Sequence, residues 1–143
     1  MKIWFDMDGT IADLYGVDGW LDDLIARNTR PYTEAKGIGN LAVIARLLTA
    51  VQKRGHEIGI ISWTAKNSPA EYDKAVEIAK REWLHDHLPT VTWDHIKVVR
   101  YGTDKKVATG GGILFDDEEP NRKNWGKGAY EPQDIVECLR DLL

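Results

Sequence analysis

Two aspartates one residue apart, Asp6 and Asp8, follow the apolar residues 3–5 and precede a turn at Gly9. If residues 3–5 form a strand, alternate side chains share a face, so both carboxylates project from the C-terminal end of that strand. Two close carboxylates repel each other unless a cation neutralises them or one of them holds a proton. The first ten residues therefore predict a centre for metal binding or acid–base chemistry.

Other motifs in the sequence suggest different ligands, but their contexts do not fit. An EF-hand calcium loop also begins with Asp-x-Asp, but Thr10, Ile11 and Val17 stand where it needs an acid or amide, a glycine and a glutamate. Residues 37–42 match the dinucleotide-binding pattern G-x-G-x-x-G/A, but the residues before them are polar rather than strand-like. The structural alternative for the opening acids is a turn that only caps a helix.

Composition limits the class of protein. The 143 residues suffice for one domain with a hydrophobic core and are short for two, so we expect a single domain over 1–143. The net charge of −4 gives no strong footprint for nucleic-acid binding. No apolar stretch has the length of a signal peptide or a membrane span, so we expect a soluble, cytoplasmic protein. The single cysteine, Cys138, excludes an internal disulfide.

Segments with strand character alternate with longer segments of helical period, a pattern typical of α/β proteins with a parallel sheet. The helices span about 38–54, about 69–88, and a terminal helix that begins near Pro132, with Ser68 expected as the N-cap of the second. The sequence leaves open whether Gly110, Gly111 and Gly112 form a mobile loop or a tight bend. The predicted strands are 2–5, 57–61, 96–99, 113–115 and 129–130.

The strand at 113–115 ends at two adjacent acids, Asp116 and Asp117. Adjacent carboxylates after a buried strand are unfavourable without a cation. In an open parallel sheet the ligand site forms at the carboxyl ends of the strands, so we expect these acids to lie near Asp6 and Asp8.

These strand ends resemble the signatures of the haloacid dehalogenase (HAD) superfamily of phosphohydrolases. Asp6–Asp8 with Gly9 and Thr10 matches the first signature, and Asp116 with Asp117 matches the fourth. Ser62, after the strand at 57–61, matches the second, whose hydroxyl binds a phosphoryl oxygen. The third signature is a phosphate-binding lysine, for which Lys106 is favoured by its spacing and Lys105 is the alternative. The resemblance implies a three-layer Rossmann-like sandwich with a mainly parallel five-stranded sheet.

Within that superfamily the chain is most similar to the 5'(3')-deoxyribonucleotidases and their small relatives. Lys66 stands four residues after Ser62, where those enzymes also place a lysine, and residues 80–88, 98–105 and 113–117 have similar patterns. The chain departs from them at Trp63, which replaces a small residue, and in a shorter insertion at about 14–36. We expect that insertion to form a very small helical cap. The resemblance implies a small phosphorylated substrate, such as a nucleoside monophosphate.

The implied mechanism requires Mg²⁺, because an anionic carboxylate must attack a dianionic ester. Asp6 is the expected nucleophile and forms an aspartyl-phosphate, while Asp8 serves as general acid and then general base. Ser62, Lys66 and Lys106 are the expected substrate-binding residues. The expected metal ligands are Asp6, Asp116, the backbone carbonyl of Asp8, and Asp117 in a supporting role.

Two further functions remain open from the sequence. The small cap also permits a phosphatase acting on nucleic-acid or protein phosphate ends, which the acidic charge disfavours. A catalytically silent module that binds ligands in an acidic cleft is the alternative from a different class. Because a small cap excludes little water, either a bulky substrate or a second subunit must close the cleft, so an oligomer is possible.

Overall fold

The computed structural model describes residues 1–143 and contains one large sheet and one two-stranded ribbon. The strands are β1 (Lys2–Phe5), β2 (Ala12–Asp13), β3 (Lys36–Gly37), β4 (Glu57–Trp63), β5 (His95–Val99), β6 (Ile113–Phe115) and β7 (Ala129–Tyr130). The helices are α1 (Trp20–Ile25), α2 (Arg30–Glu34), α3 (Leu41–Lys53), α4 (Ala70–His87), α5 (Lys105–Thr109), α6 (Glu119–Trp125) and α7 (Ile135–Asp141). Short 3₁₀ turns span Leu14–Gly16 and Pro132–Asp134. None of the helices has the length and apolar character needed to cross a membrane.

The large sheet has the strand order β5-β4-β1-β6-β7, and every neighbouring pair is parallel. This confirms the predicted five-stranded, Rossmann-like α/β fold. Strand β1 lies at the centre, where Phe5 pairs with Ile60 of β4 on one side and with Phe115 of β6 on the other. The carboxyl ends of β1, β4 and β6 therefore lie side by side.

Side chains alternate between the two faces of the sheet and pack against separate layers of helices. Ile3 and Phe5 belong to the larger core, which also contains residues of α3, α4 and α7. Trp4 faces the opposite side and packs with Leu114 and with Trp125 of α6. The three β1 residues, Leu114 and Trp125 are each at most 1% exposed. The alternation along β1 thus accounts for a sandwich of helix, sheet and helix.

Several boundaries differ from the sequence-based ones for local reasons. Strand β4 continues to Trp63, because Ser62 and Trp63 pair with β5. Helix α3 begins at Leu41, because the Asn40 side chain accepts a hydrogen bond from the Val43 amide and caps it. Ser68, the expected cap of α4, instead donates its hydroxyl to the Ala65 carbonyl at 2.8 Å. The short helices α5 and α6 were not predicted.

Residues 110–112 form a tight bend before β6. All three glycines have positive φ, reaching +116° at Gly112. A Cβ atom at Gly112 would lie 2.3 Å from the carbonyl oxygen of Lys2, so no other residue fits there without moving the backbone. The bend therefore fixes how β6 approaches β1.

Residues 14–36, the helical insertion, leave and return through the antiparallel ribbon β2–β3. The insertion contains the first 3₁₀ turn, α1 and α2. Its Leu14 and Tyr32 pack against Tyr72 and Val76 of α4. The Tyr72 hydroxyl also donates to the Asn28 carbonyl at 2.8 Å. The helical insertion is therefore held to one side of the sheet by α4.

Candidate functional site

Three carboxylates meet where β1 and β6 end. Asp6, Asp116 and Asp117 each offer a carboxylate oxygen, and these oxygens all lie within 4.8 Å of one another. The pairing of β1 with β6 continues into the site, because the Asp6 amide donates to the Phe115 carbonyl at 2.9 Å. Asp116 is fully buried, and Asp6 is 7% exposed. Parallel pairing of two strands therefore produces the acidic cluster that the sequence predicted.

The loop after β1 is built to accept this cluster. The Met7 carbonyl accepts hydrogen bonds from the three amides of residues 10–12, which closes a compact turn. Gly9 has φ +79°, and a Cβ atom there would lie 2.2 Å from Oδ2 of Asp117. Thr10 Oγ1 donates to Asp6 Oδ2 at 3.1 Å and accepts from the Asp117 amide at 3.2 Å. Glycine and threonine in the motif thus make room for Asp117 and tie it to Asp6.

A buried lysine lies inside the acidic cluster. Lys105 Nζ donates to Asp6 Oδ1 at 3.0 Å and to Asp116 Oδ2 at 2.7 Å. The sequence-based preference for Lys106 differs from this arrangement, because the exposed Lys106 donates instead to the Trp125 carbonyl at 2.9 Å. The physical reason is that Asp104 caps α5, so adjacent residues at its start point in different directions. Lys105, the alternative, takes the central position.

Asp8 lies beside a second buried lysine. Lys80 Nζ donates to Asp8 Oδ2 at 2.9 Å, to Ser62 Oγ at 2.6 Å and to the Trp63 carbonyl at 2.7 Å. Lys80 is 1% exposed, and Ser62 is fully buried. The two acids of the opening motif are therefore separated by their partners, with Asp6 among the acids around Lys105 and Asp8 beside Lys80.

Burial and mutual repulsion shift the acids toward their neutral forms. Burial raises the pKa of Asp116 to about 6, and the charge of Asp6 adds to this while Lys105 opposes it. Burial raises the pKa of Asp117 to about 8, and the charge of Asp6 again adds to the effect. Burial also raises the pKa of Asp8 against the opposing charge of Lys80. The positive charge around these acids is therefore too small to neutralise all of them.

The charges of Asp6 and Asp116 raise the pKa of Lys105, although burial alone would lower it. Its ammonium group therefore stays charged at neutral pH, and it still leaves the carboxylates under-neutralised. Three carboxylates close together form a hard oxygen donor set of the kind that binds Mg²⁺. The residues present thus fit a divalent cation held by Asp6, Asp116 and Asp117.

A cavity of about 260 Å³ opens above the acids. Two aromatic pairs contribute to its walls. Tyr15 and Trp20 of the helical insertion pack edge to face with ring centroids 4.9 Å apart, and Trp63 and Tyr101 pack at the same distance with tilted rings. The Trp63 indole donates to the Thr103 carbonyl at 2.9 Å, which fixes its ring. The cavity therefore has aromatic side walls and a floor lined by Asp6 and Asp8.

The predicted site residues lie at different depths. Asp6, Asp8 and Lys66 line the cavity, together with Lys105. Asp116, Asp117 and Ser62 are neighbours of these residues but do not line the cavity, and Lys106 is directed toward α6. The structure therefore brings all four acids and Ser62 into one region, leaves Lys66 exposed at its rim and excludes Lys106.

Sequence reasoning missed Lys80 and Thr64. Lys80 belongs to a charged run that resembles a solvated helix face, yet it falls on the same helical stripe as Val76 and Trp83, at spacings of four and three. That stripe was the signal that could have identified it. Thr64 lines the cavity, and its buried hydroxyl has no hydrogen-bond partner in the protein. No signal in the sequence singled it out.

Comparisons with known proteins bear on the fold. No protein-family model matches the chain, and no curated protein sequence matches it. Among solved structures it is similar to a D,D-heptose 1,7-bisphosphate phosphatase from Burkholderia thailandensis, at 12% identity and a TM-score of 0.55, covering 98% of this chain and 96% of that one. The corresponding phosphatase from B. bronchiseptica, crystallised with magnesium and phosphate, gives 13% identity and a TM-score of 0.54, covering 99% and 97%. Because identity is this low, the likeness shows the shared fold alone.

The raised pKa of Asp117 predicts how stability depends on pH without metal. Its folded-state pKa of about 8 exceeds the ordinary 3.8, so the folded state binds more protons between these values. The contribution of Asp117 to the free energy of unfolding therefore falls as the pH rises from about 4 to about 8. Asp117→Asn mimics the neutral acid, so its Tm in EDTA should exceed that of the unmodified protein by a margin that grows to several degrees near pH 8.

Thermal unfolding followed by circular dichroism checks this prediction. Excess Mg²⁺ should raise the Tm of the unmodified protein at pH 8 and should raise that of Asp117→Asn less, because a bound cation stabilises the ionised cluster. A margin between the two proteins that stays constant across this pH range would contradict the assigned cause.

Proposed function

We propose that the chain is a Mg²⁺-dependent phosphomonoester hydrolase of the HAD type that works through an aspartyl-phosphate. The observation that carries this proposal is the division of the opening motif into two environments. Asp6 lies in the acidic cluster with Lys105, whereas Asp8 lies outside it with a separate partner. A site that only bound a cation would have no need for the second environment. The fold shared with two phosphatases, one of them complexed with magnesium and phosphate, supports the same reaction class.

In the proposed reaction a carboxylate oxygen of Asp6 attacks the phosphorus atom and the bond from phosphorus to the ester oxygen breaks. Asp8 gives its proton to the departing oxygen, which leaves as an alcohol. A water molecule then attacks the aspartyl-phosphate, Asp8 takes a proton from it, and inorganic phosphate and free Asp6 result. Asp6, Asp116, Asp117 and the backbone carbonyl of Asp8 would hold Mg²⁺, which would supply the charge neutralisation that an anionic nucleophile needs to approach an anionic ester.

The phosphoryl oxygens need donors as negative charge spreads over them. Lys105 has two of its three N–H donors on carboxylates, so one remains for a phosphoryl oxygen. Ser62 accepts from Lys80, so its own hydroxyl proton is free to donate to a phosphoryl group seated at the base of the cavity. We assign Lys105, rather than Lys106, as the phosphate-binding lysine.

The aromatic walls of the cavity favour a substrate that carries an aromatic ring, and we propose a nucleoside monophosphate as the substrate class. The exposed ring of Tyr101 lies against Trp63 at the cavity wall, where a nucleobase could stack. Lys66 lies at the rim with a free ammonium group that can bind a polar group of the nucleotide. The helical insertion serves as a small cap in this proposal, because Tyr15 and Trp20 close one side of the cavity.

The nucleophile assignment predicts that Asp6→Asn abolishes phosphate release. An amide is a far weaker nucleophile than a carboxylate, so release from p-nitrophenyl phosphate with Mg²⁺ should fall on the order of 10⁴-fold. Asp8→Ala should instead accumulate a covalent phosphoryl adduct on Asp6, visible by intact-mass spectrometry after an acid quench.

Circular dichroism of both variants shows whether they fold like the unmodified protein. Normal turnover by Asp6→Asn would end the assignment, and normal turnover by Asp8→Ala would end the acid–base role.

Adjacent lysines offer a matched pair for testing the phosphate-binding residue. Lys105→Met removes a donor from the acidic cluster and should lower kcat by roughly 10²–10³-fold. Lys106→Met changes an exposed lysine that only contacts the Trp125 carbonyl, so its kcat should stay within about twofold of the unmodified protein. Steady-state kinetics with p-nitrophenyl phosphate measure both. Equal losses in the two variants would show that the cluster contact does not decide the role.

The substrate class is tested by a phosphate-release screen across nucleoside monophosphates, sugar phosphates and 3'-phosphorylated oligonucleotides, with and without Mg²⁺. Tyr101→Ala should raise KM for nucleoside monophosphates roughly tenfold through lost stacking and leave KM for sugar phosphates unchanged. Tyr130→Ala, on the partly exposed strand β7 away from the cavity, is the control. Preference for sugar phosphates or oligonucleotides would contradict the proposed substrate class and leave the proposed reaction unchanged. Release from none of them would favour a silent binding module.

A further inference from the structure

Lys80 is the most completely buried lysine of the chain, with 1% of its surface exposed. Buried lysines are rare unless their charge is paired, because removing an ammonium group from water is costly. Lys80 projects from the middle of α4 and carries its charge under the end of β4. The proposed reaction, as described above, gives Lys80 no role. The burial of its positive charge therefore needs a separate explanation.

All the donors of Lys80 are engaged. Its three N–H groups meet Asp8 Oδ2, Ser62 Oγ and the Trp63 carbonyl oxygen, at distances from 2.6 to 2.9 Å. An ammonium group has three donors and no acceptor, so none remains for a substrate. This distinguishes Lys80 from Lys105, which keeps one donor free. Lys80 can therefore influence chemistry only through the residues that it holds.

Of its three partners, Asp8 is the one that carries a carboxylate and that exchanges a proton in the proposed reaction. The ammonium group binds one carboxylate oxygen, Oδ2, and so restricts the orientation of the carboxylate, while the other oxygen makes no contact with Lys80. Asp8 lines the cavity and is partly exposed there. The free oxygen is thus left to exchange a proton with a group in the cavity, and the same ammonium group holds the Ser62 hydroxyl beside it.

The support of Lys80 is rigid. Helix α4 is anchored on both sides of this residue, because the Trp83 indole donates to the Ala35 carbonyl at 2.7 Å and Val76 packs against the helical insertion. The Tyr32 ring lies 5.2 Å from Nζ, a cation–π distance that adds a contact from the insertion. A site residue held by such a support keeps its geometry better than one on a loop alone.

We infer that Lys80 is a positioning residue that orients Asp8 for proton transfer to the leaving oxygen. The inference rests on the proposed hydrolase function and adds to it the device that aims the general acid. Lys80 itself does not touch the substrate. Its loss leaves the nucleophile Asp6 and the phosphate-binding Lys105 in place, but it releases the carboxylate of Asp8 from its fixed orientation.

Leaving groups of different basicity separate this role from a merely structural one. Phenyl phosphate and p-nitrophenyl phosphate have the same ring, but the nitrophenolate departs without a proton, whereas the more basic phenolate needs one. Loss of an oriented general acid therefore slows phenyl phosphate much more. The measured quantity is kcat/KM, which reports the steps up to formation of the aspartyl-phosphate.

In Lys80→Met, which keeps the length of the side chain and removes its donors, kcat/KM for phenyl phosphate should fall on the order of 100-fold, and that for p-nitrophenyl phosphate less than about tenfold. The matched control is Lys74→Met, an exposed lysine of the same helix, for which both values should stay within about twofold. An equal loss on the two esters in Lys80→Met would overturn the positioning role and leave only a structural one.

The outcomes distinguish the inference from the function beneath it. If the unmodified protein hydrolyses neither ester in Mg²⁺, the proposed function fails. If it hydrolyses both and the ratio of kcat/KM values is unchanged in the variant, only the positioning role fails. Circular dichroism shows whether Lys80→Met folds. If it does not, Lys80→Arg keeps the positive charge but changes the donor geometry, and the same ratio should still shift against phenyl phosphate; an unchanged ratio again overturns the inference.

Discussion

Electrostatic repulsion between carboxylates is the constraint on which the site depends. The central strand and its neighbour β6 end beside each other, and their following residues place Asp6, Asp116 and Asp117 within a few ångströms. In a buried setting such a group is unstable without positive charge, and the raised pKa values of Asp116 and Asp117 express that deficit. One lysine relieves part of it. The negative charge that remains favours a divalent cation at this place, and such a cation would allow an anionic ester to approach.

The two buried lysines divide the site into regions with different tasks. Lys105 lies within the acidic cluster and keeps Asp6 and Asp116 close together. Lys80 lies on the opposite side of the opening loop and holds Asp8 apart from that cluster. Two acids only one residue apart therefore have different charged partners in one site. In the proposed reaction, distinct neighbours rather than distinct residue types give these two acids the roles of nucleophile and proton carrier.

The sequence predicted the fold and the acids well, because both follow from local patterns. Strands β1, β6 and β7 have the predicted bounds, since alternating or continuous apolar residues determine which segments enter the sheet. The acids follow strands directly, so their positions are fixed once the strand order is known. The lysines were harder to predict, because each lies on a helix and reaches the site through a long side chain. Choosing between Lys105 and Lys106 required the start of α5, which the Asp104 cap determines. Lys80 lies in a charged run, and only its spacing of four from Val76 and three from Trp83 indicates that it faces inward.

The ribbon β2–β3 separates the helical insertion from the acidic cluster. Everything between Asp13 and Lys36 departs and returns through one narrow stem, while every acid of the cluster lies outside it. A segment of different length or shape could be grafted onto that stem, and the reactive centre would keep its architecture. Such a graft must still offer an apolar surface to α4, as Leu14 and Tyr32 do here. Under the proposed function, exchange of this one short stretch would change which substrates the cavity admits and would leave the acids of the cluster in place.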